Sequence, residues 1–185
     1  MAVPDRATAR RVLASISPPA WLATHSEGVA RVAGAAARAL ADNGVEVDVA
    51  LVEAAALLHD IDKVEVRAAG RHGLVAAERL TELGYAELAD AVASHPITCL
   101  LETARFPRGW EAICVSVADR RVGQTFVAID QRLDAMTARH PAHASQIQAA
   151  WRPADALEAE LADAAGLSRE TLEELLRAAW ADGDR

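Results

Sequence analysis

His59 and Asp60 stand side by side at the end of an apolar stretch, Val49 to Leu58, and are followed at once by Asp62 and Lys63. Neutral imidazole nitrogen and carboxylate oxygen are both good ligands for divalent transition metals, so a buried His-Asp doublet is a candidate metal-binding pair. The same two groups are costly to bury without partners, and a plain hydrogen-bonded pair is the alternative way of satisfying them. The other histidines bear on that choice. His25, His72, His95 and the carboxylate Asp119 fall on different expected helices or helix ends. Four His and two Asp suffice for two metal ions, and one ligand-type residue per helix around a central doublet is hard to ascribe to core packing alone. His140 and His143 lie in a turn far along the chain from these positions and are not expected to be ligands.

The elements that must position these groups follow from periodicity. Leu51, Val52, Ala55, Leu58 and Ile61 repeat at the spacing of a core helix. That helix is expected to run unbroken from Val49 through Lys63, carrying His59 and Asp60 inward, with Asp48 as its cap. An earlier helix carries Trp21, Leu22, His25, Val29, Val32, Ala33, Ala36 and Leu40 on one stripe, and its small residues predict close approach to a neighbouring helix. Asn43 or Gly44 ends it. A short helix from Pro4 to Ile16 comes first, with Arg6, Arg10 and Arg11 outward as a solvated face in preference to the alternative, contact with substrate phosphates. Val64 to Arg71 reads as a charged loop beside the site, in which Arg67 and Arg71 are either exposed or turned toward an anionic substrate. His72 then opens a helix that Gly84 closes, and Tyr85 to Ser94 forms the next. His95 precedes Pro96, so it is expected to leave helical geometry and point its ring beyond the helix end. Asp119 interrupts an apolar helix that begins at Trp110, and such a carboxylate requires an arginine partner or a metal.

Composition bounds the rest. A chain of 185 residues, rich in Ala and Leu, with 10 Gly and few aromatics, predicts an all-α fold. The net charge of −8 argues against a partner such as long nucleic acid, which needs a basic face, and leaves a small anionic substrate open. Cys99 and Cys114 lack metal-site spacing and read as core thiols. No apolar run long enough for a membrane span and no leader pattern occurs, which predicts no membrane association and a cytoplasmic protein. Residues 1–140 are expected to form the metal-binding helical domain and 141–185 a C-terminal helical extension. The apolar side of that extension either covers the core or serves a homodimer.

Taken in order, Thr24-His25-Ser26, Leu57 to Lys63, His72-Gly73, His95-Pro96 and Val117 to Arg121 resemble the HD-domain superfamily of metal-dependent phosphohydrolases, and within it the HDIG-type branch. The resemblance spans Trp21 to Arg132. Asp62 departs from it, standing where the branch name implies glycine. The resemblance implies a compact helical HD-domain bundle with extra C-terminal helices. It implies that His25, His59, Asp60 and Asp119 bind a first metal, that His72 and His95 add ligands for a second, and that Asp60 bridges the two. With this much imidazole, Fe, Mn, Co, Ni or Zn is favoured over Mg. Lys63 is expected on the substrate phosphate, with a salt bridge to Asp62 or Glu65 as the rival role, and Arg121 is a second substrate-binding candidate. The expected reaction is hydrolysis of a phosphoester or phosphoanhydride of a nucleotide-like small molecule by a metal-activated hydroxide, in which Asp60 or Asp119 orients the water and Lys63 neutralises the phosphate. A diiron oxygenase of the same fold and a non-catalytic nucleotide-binding regulatory domain are the alternatives.

Overall fold

The computed structural model describes residues 3–65 and 70–184. Arg67, expected in the loop beside the site, lies outside the described residues. Among those described, ten α-helices and a few 3₁₀ turns account for the regular structure, and the only extended pairing is a single antiparallel bridge between Val122 and Phe126. The all-α architecture expected from composition is what the chain forms.

Helix α1 (Arg6–Ser15) starts on the Asp5 side chain, which accepts the Thr8 N–H at 2.7 Å. Its outward arginines are engaged rather than simply solvated: Arg6 and Arg10 both bridge to Glu27 of the next helix, at 2.9 and 2.6 Å. Helix α2 (Ala20–Asp42) is the long central element, and it ends where Gly44 takes φ +81°. Ala33, Gly34, Ala36 and Ala37 are buried along it, and this small-residue face lets helix α3 (Val49–Leu58) lie close alongside. Asp48 caps α3 through the Leu51 N–H at 3.0 Å, as its sequence position implies.

Two further pairs complete the part of the bundle that surrounds the polar residues. Helices α4 (Leu74–Glu82) and α5 (Ala89–Ser94) pack on each other, and α5 also packs on α6 (Trp110–Arg121), which runs across α2 and α3. The core is mostly Ala, Val and Leu, with Leu22, Leu40, Leu57, Leu58, Ile61 and Leu80 wholly buried. Trp21 corrects the reading of the α2 stripe: it is 46% exposed, at the open end of the helix.

The remaining helices are α7 (Ile129–Arg139), α8 (Ala144–Ala149), α9 (Trp151–Ala164) and α10 (Arg169–Ala181). Ser168 caps α10 through the Thr171 N–H. The apolar side of this tail faces its own chain: Leu157, Leu161, Leu172 and Leu176 are buried where α9 meets α6 and α10 meets α2. Gly28 is required at the α2–α10 crossing, because a Cβ there would come within 2.9 Å of Val122 and 3.3 Å of the Trp180 ring.

Candidate metal centre

Five segments deliver the polar groups to one place. His25 comes from the second turn of α2, His72 from the turn before α4, His95 from the end of α5 and Asp119 from the last turn of α6. The central doublet arrives differently from the expected unbroken rod. Helix α3 stops at Leu58, and the chain continues in tight i→i+3 turns, with Ile61, Lys63 and Glu65 N–H groups donating to the Leu58, Asp60 and Asp62 carbonyls. The tighter winding changes the direction of successive side chains, so that Asp60 and Asp62 both face inward and each is fully buried.

His95 also differs from expectation. It keeps helical angles, φ −67° and ψ −32°, despite preceding Pro96. Its Nδ1–H donates to the Val92 carbonyl at 2.6 Å, a bond that requires the residue to stay in the helical turn, and the chain leaves the helix only at Pro96.

The four rings share one orientation. Nδ1 of His59 donates to the Ala56 carbonyl at 2.6 Å, Nδ1 of His25 to the Gly123 carbonyl at 3.3 Å, and Nδ1 of His72 to the Asp62 carboxylate at 2.9 Å, as that of His95 does to Val92. With Nδ1 carrying the hydrogen, Nε2 is left as the ligating nitrogen in each neutral ring. All four Nε2 atoms point at Asp60. Its Oδ2 lies 3.4 Å from both His25 and His59, and its Oδ1 lies 3.3 Å from His72 and 3.4 Å from His95. Asp119 Oδ1 closes the first set, 3.1 Å from His25 and 3.7 Å from His59. The site is therefore two half-sites that share one carboxylate.

Electrostatics alone leave this arrangement awkward. Neither Asp60 oxygen accepts a hydrogen bond of good geometry although both are buried, and the Lys63 Nζ stands 2.8 Å from Oδ2. Nε2 atoms face each other at 3.2 Å between His25 and His59 and at 3.0 Å between His72 and His95, where two N–H groups cannot both be accommodated. Burial works against charging His59, yet the carboxylates of Asp60 and Asp119 outweigh it and raise the ring to about 10. His72 is raised to about 9 by Asp60 and Asp62, again against burial. His95 is pulled down to about 4 by burial, against Asp60 and with the help of the neighbouring His72 and His59 charges. Burial would raise the carboxyls of Asp60 and Asp119, but the cationic groups around them hold both well below the usual carboxylate range. Protons occupy the place of cations here. A divalent ion in each half-site would satisfy the orphaned Asp60 oxygens and separate the facing nitrogens, and the N,O donor set suits a transition metal. His25, His59 and Asp119 form one group whose ligand atoms lie within 4.8 Å of one another, and His59, Asp60 and His95, drawn from both half-sites, form another.

The cations expected around the site are rearranged. Lys63 bridges Asp60 rather than Asp62 or Glu65, because Asp62 is taken by His72 and Gly73, and Glu65 pairs with Arg79. Arg121 corrects the expectation of a second substrate-binding residue. Its guanidinium is buried in a two-pronged pair with Glu158 of α9, at 2.8 and 2.5 Å, and reaches Glu173 of α10 at 3.1 Å. Arg71 pairs with Glu78 on the surface. The cation missed from sequence is Arg132, on the first turn of α7, whose Nη2 lies 3.4 Å from Asp119 Oδ1. The bridge between Val122 and Phe126 turns the chain back after α6, a contact that no periodicity in α7 reveals. His140 and His143 are exposed and outside the cluster.

A helical bundle that closes four inward imidazoles around a shared aspartate is an arrangement that could hold metal ions. Residues 22–122 match the HD domain family, and the chain belongs to it. The match is at the level of the HD domain and does not extend to the HDIG branch. No curated protein and no solved structure matches the chain. Membership places the protein in a family typical of metal-dependent phosphohydrolases.

Proposed function

We propose that the protein is a metal-dependent phosphohydrolase that cleaves a phosphoester or phosphoanhydride bond of a small, nucleotide-like substrate. The observation that carries this reading is the pair of half-sites sharing Asp60, with Lys63 against the same carboxylate. His25, His59, Asp60 and Asp119 would hold one ion, and His72, His95 and the other Asp60 oxygen a second. Fe, Mn, Co, Ni and Zn suit these donors better than Mg. When bound, such ions supply Lewis acidity, which polarises a phosphoryl oxygen and acidifies a water.

The chain's own residues do the rest. Asp60 is wholly buried with an oxygen turned to each half-site, whereas the Asp119 side chain is 14% exposed and so keeps an edge within reach of solvent. Asp119 is the better placed of the two to orient the attacking water. Lys63 is one-third exposed and kept cationic, burial notwithstanding, by Asp60 and Asp119, so its ammonium can meet a phosphate arriving from solvent. Arg132 adds a second positive group from the other side, 3.4 Å from Asp119 as Lys63 is 2.8 Å from Asp60. These local cations attract a compact anion, while the chain's overall charge of −8 gives no support for a long polyanion. No helix among the described residues is long and apolar enough to cross a membrane.

The test is metal analysis of protein purified without chelator, followed by phosphate release from a panel of mono- and dinucleotides after Mn or Fe loading. About two ions per chain with metal-dependent release is the expected result. Oxygen consumption without phosphate release would move the site to oxygenase chemistry, and nucleotide binding without turnover under any metal would make the domain a regulatory module.

A further inference from the structure

Asp62 enters none of the steps above, yet it is as completely buried as Asp60. Both of its oxygens are committed. Oδ1 accepts the His72 Nδ1–H at 2.9 Å, and Oδ2 accepts the Gly73 backbone N–H at 2.8 Å. Gly73 takes φ +81°, and a Cβ there would meet Pro96 Cγ at 2.9 Å and the Ala93 carbonyl at 3.2 Å, so the start of α4 is pressed against the end of α5. Pro96 follows His95, whose Nε2 faces that of His72 at 3.0 Å. A continuous run of contacts thus leads from Asp62 through His72 and Gly73 to Pro96 and His95. The first half-site leans on none of it, since His25 and His59 donate to backbone carbonyls of Gly123 and Ala56.

We infer that Asp62 is the positioning residue of the second half-site, holding His72 with Nε2 toward Asp60 and seating α4 against Pro96 so that His72 and His95 take up a second divalent transition metal together. The inference rests on the metal-centre reading above. A carboxylate behind a ligating imidazole fixes its tautomer and raises its basicity, and losing such a partner lowers metal affinity about 10–100-fold. The glycine of the HDIG pattern at this position would offer His72 no such support.

The experiment is Mn²⁺ titration of the full chain by equilibrium dialysis and electron paramagnetic resonance, in wild type, Asp62→Ala, Asp62→Asn, His72→Ala and the Asp62→Ala/His72→Ala double variant. Wild type is expected to take about two ions with the spectrum of a coupled pair. Asp62→Ala should keep the first ion, lose roughly 10–100-fold in affinity for the second, and show isolated-ion spectra at ratios where wild type shows the pair. Asp62→Asn keeps an acceptor for His72 and should lose several-fold. Because Asp62 acts through His72, the double variant should bind no more weakly than His72→Ala alone. A second-ion affinity in Asp62→Ala equal to wild type, or an additive loss in the double variant, overturns the inference. If Asp62→Ala does not fold, the isosteric Asp62→Asn decides, and wild-type affinity there overturns it equally. A wild type that binds one ion and still releases phosphate defeats this inference and leaves the hydrolase reading standing. Two ions without any phosphate release does the reverse.

Discussion

Asp60 has both oxygens buried and turned to opposite half-sites, and Lys63, which is partly exposed, sets its ammonium 2.8 Å from Oδ2. Replacing Lys63 with Met keeps the alkyl length and removes the charge. We expect Lys63→Met to retain its metal complement and lose roughly 10²-fold in kcat/KM, the magnitude of removing one preorganised cationic donor from a phosphoryl site. Loss of metal together with activity would instead make Lys63 a prop for Asp60. The ring charges give a second expectation. His59 and His72, raised to about 10 and about 9, hold protons at neutral pH, whereas a ligating ring must be neutral. Metal uptake must therefore expel protons, and apparent affinity should climb as pH rises from 6 toward 9. Calorimetry in buffers of differing ionisation enthalpy should show net proton release, and a buffer-independent heat would mean that the rings are neutral before the metal arrives. At this scale the sequence was most legible: the six His and Asp residues that converge in the fold could be picked out because such residues are rare on apolar helix faces. Arg121 and Arg132 could not be sorted, since their partners lie at Glu158 and Asp119, across chain separations of 37 and 13 residues that no local pattern spans.

Helices carry those donors, and the tail fixes the helix that carries Asp119. Arg121, two residues beyond Asp119, is locked to Glu158 of α9 and Glu173 of α10, and its guanidinium lies 5.8 Å from the Phe126 ring centre. Removing one member of a buried ion pair strands the other, at about 3–5 kcal/mol. Glu158→Ala should fall near the lower end of that range in urea unfolding, because Glu173 remains to Arg121. The same variant should weaken metal binding at the first half-site by loosening the end of α6. A destabilised Glu158→Ala with unchanged metal affinity would show that the clamp serves the fold alone. The helices were readable from periodicity and caps, and Asp48, Gly44 and Gly84 mark ends where the sequence places them. Two ends were not readable. The unwinding of α3 at Leu58 follows from burying Asp60 and Asp62 together, and the helical angles of His95 before Pro96 follow from its bond to Val92. Both are tertiary demands that override a local preference.

Across the whole molecule the polar cluster is the point where α2, the end of α3, the turn before α4, the end of α5 and α6 converge. In most bundles that meeting point would be apolar. Here it holds four imidazoles and three carboxylates among them, drawn together around atoms that lack hydrogen-bond partners. Ions bound there would tie the five segments together through the unpartnered Asp60 oxygens and the imidazoles around them, so they should act as fasteners of the native state and not of the unfolded chain. A ligand at 100 times its dissociation constant adds about 2.7 kcal/mol, and for a chain of this length each kcal/mol moves the melting temperature by roughly 2–4 °C. Chelation should therefore lower Tm by roughly 5–10 °C, with recovery on adding back Mn or Zn and a smaller response in His25→Ala. The mutant comparison separates binding at the centre from general effects of chelator, because His25 touches only the first half-site and leaves His72 and His95 in place. Should chelation strip the ions and leave Tm unmoved, the protons on His59 and His72 would be sufficient to hold the five segments together. The metal would then be required for chemistry and not for architecture.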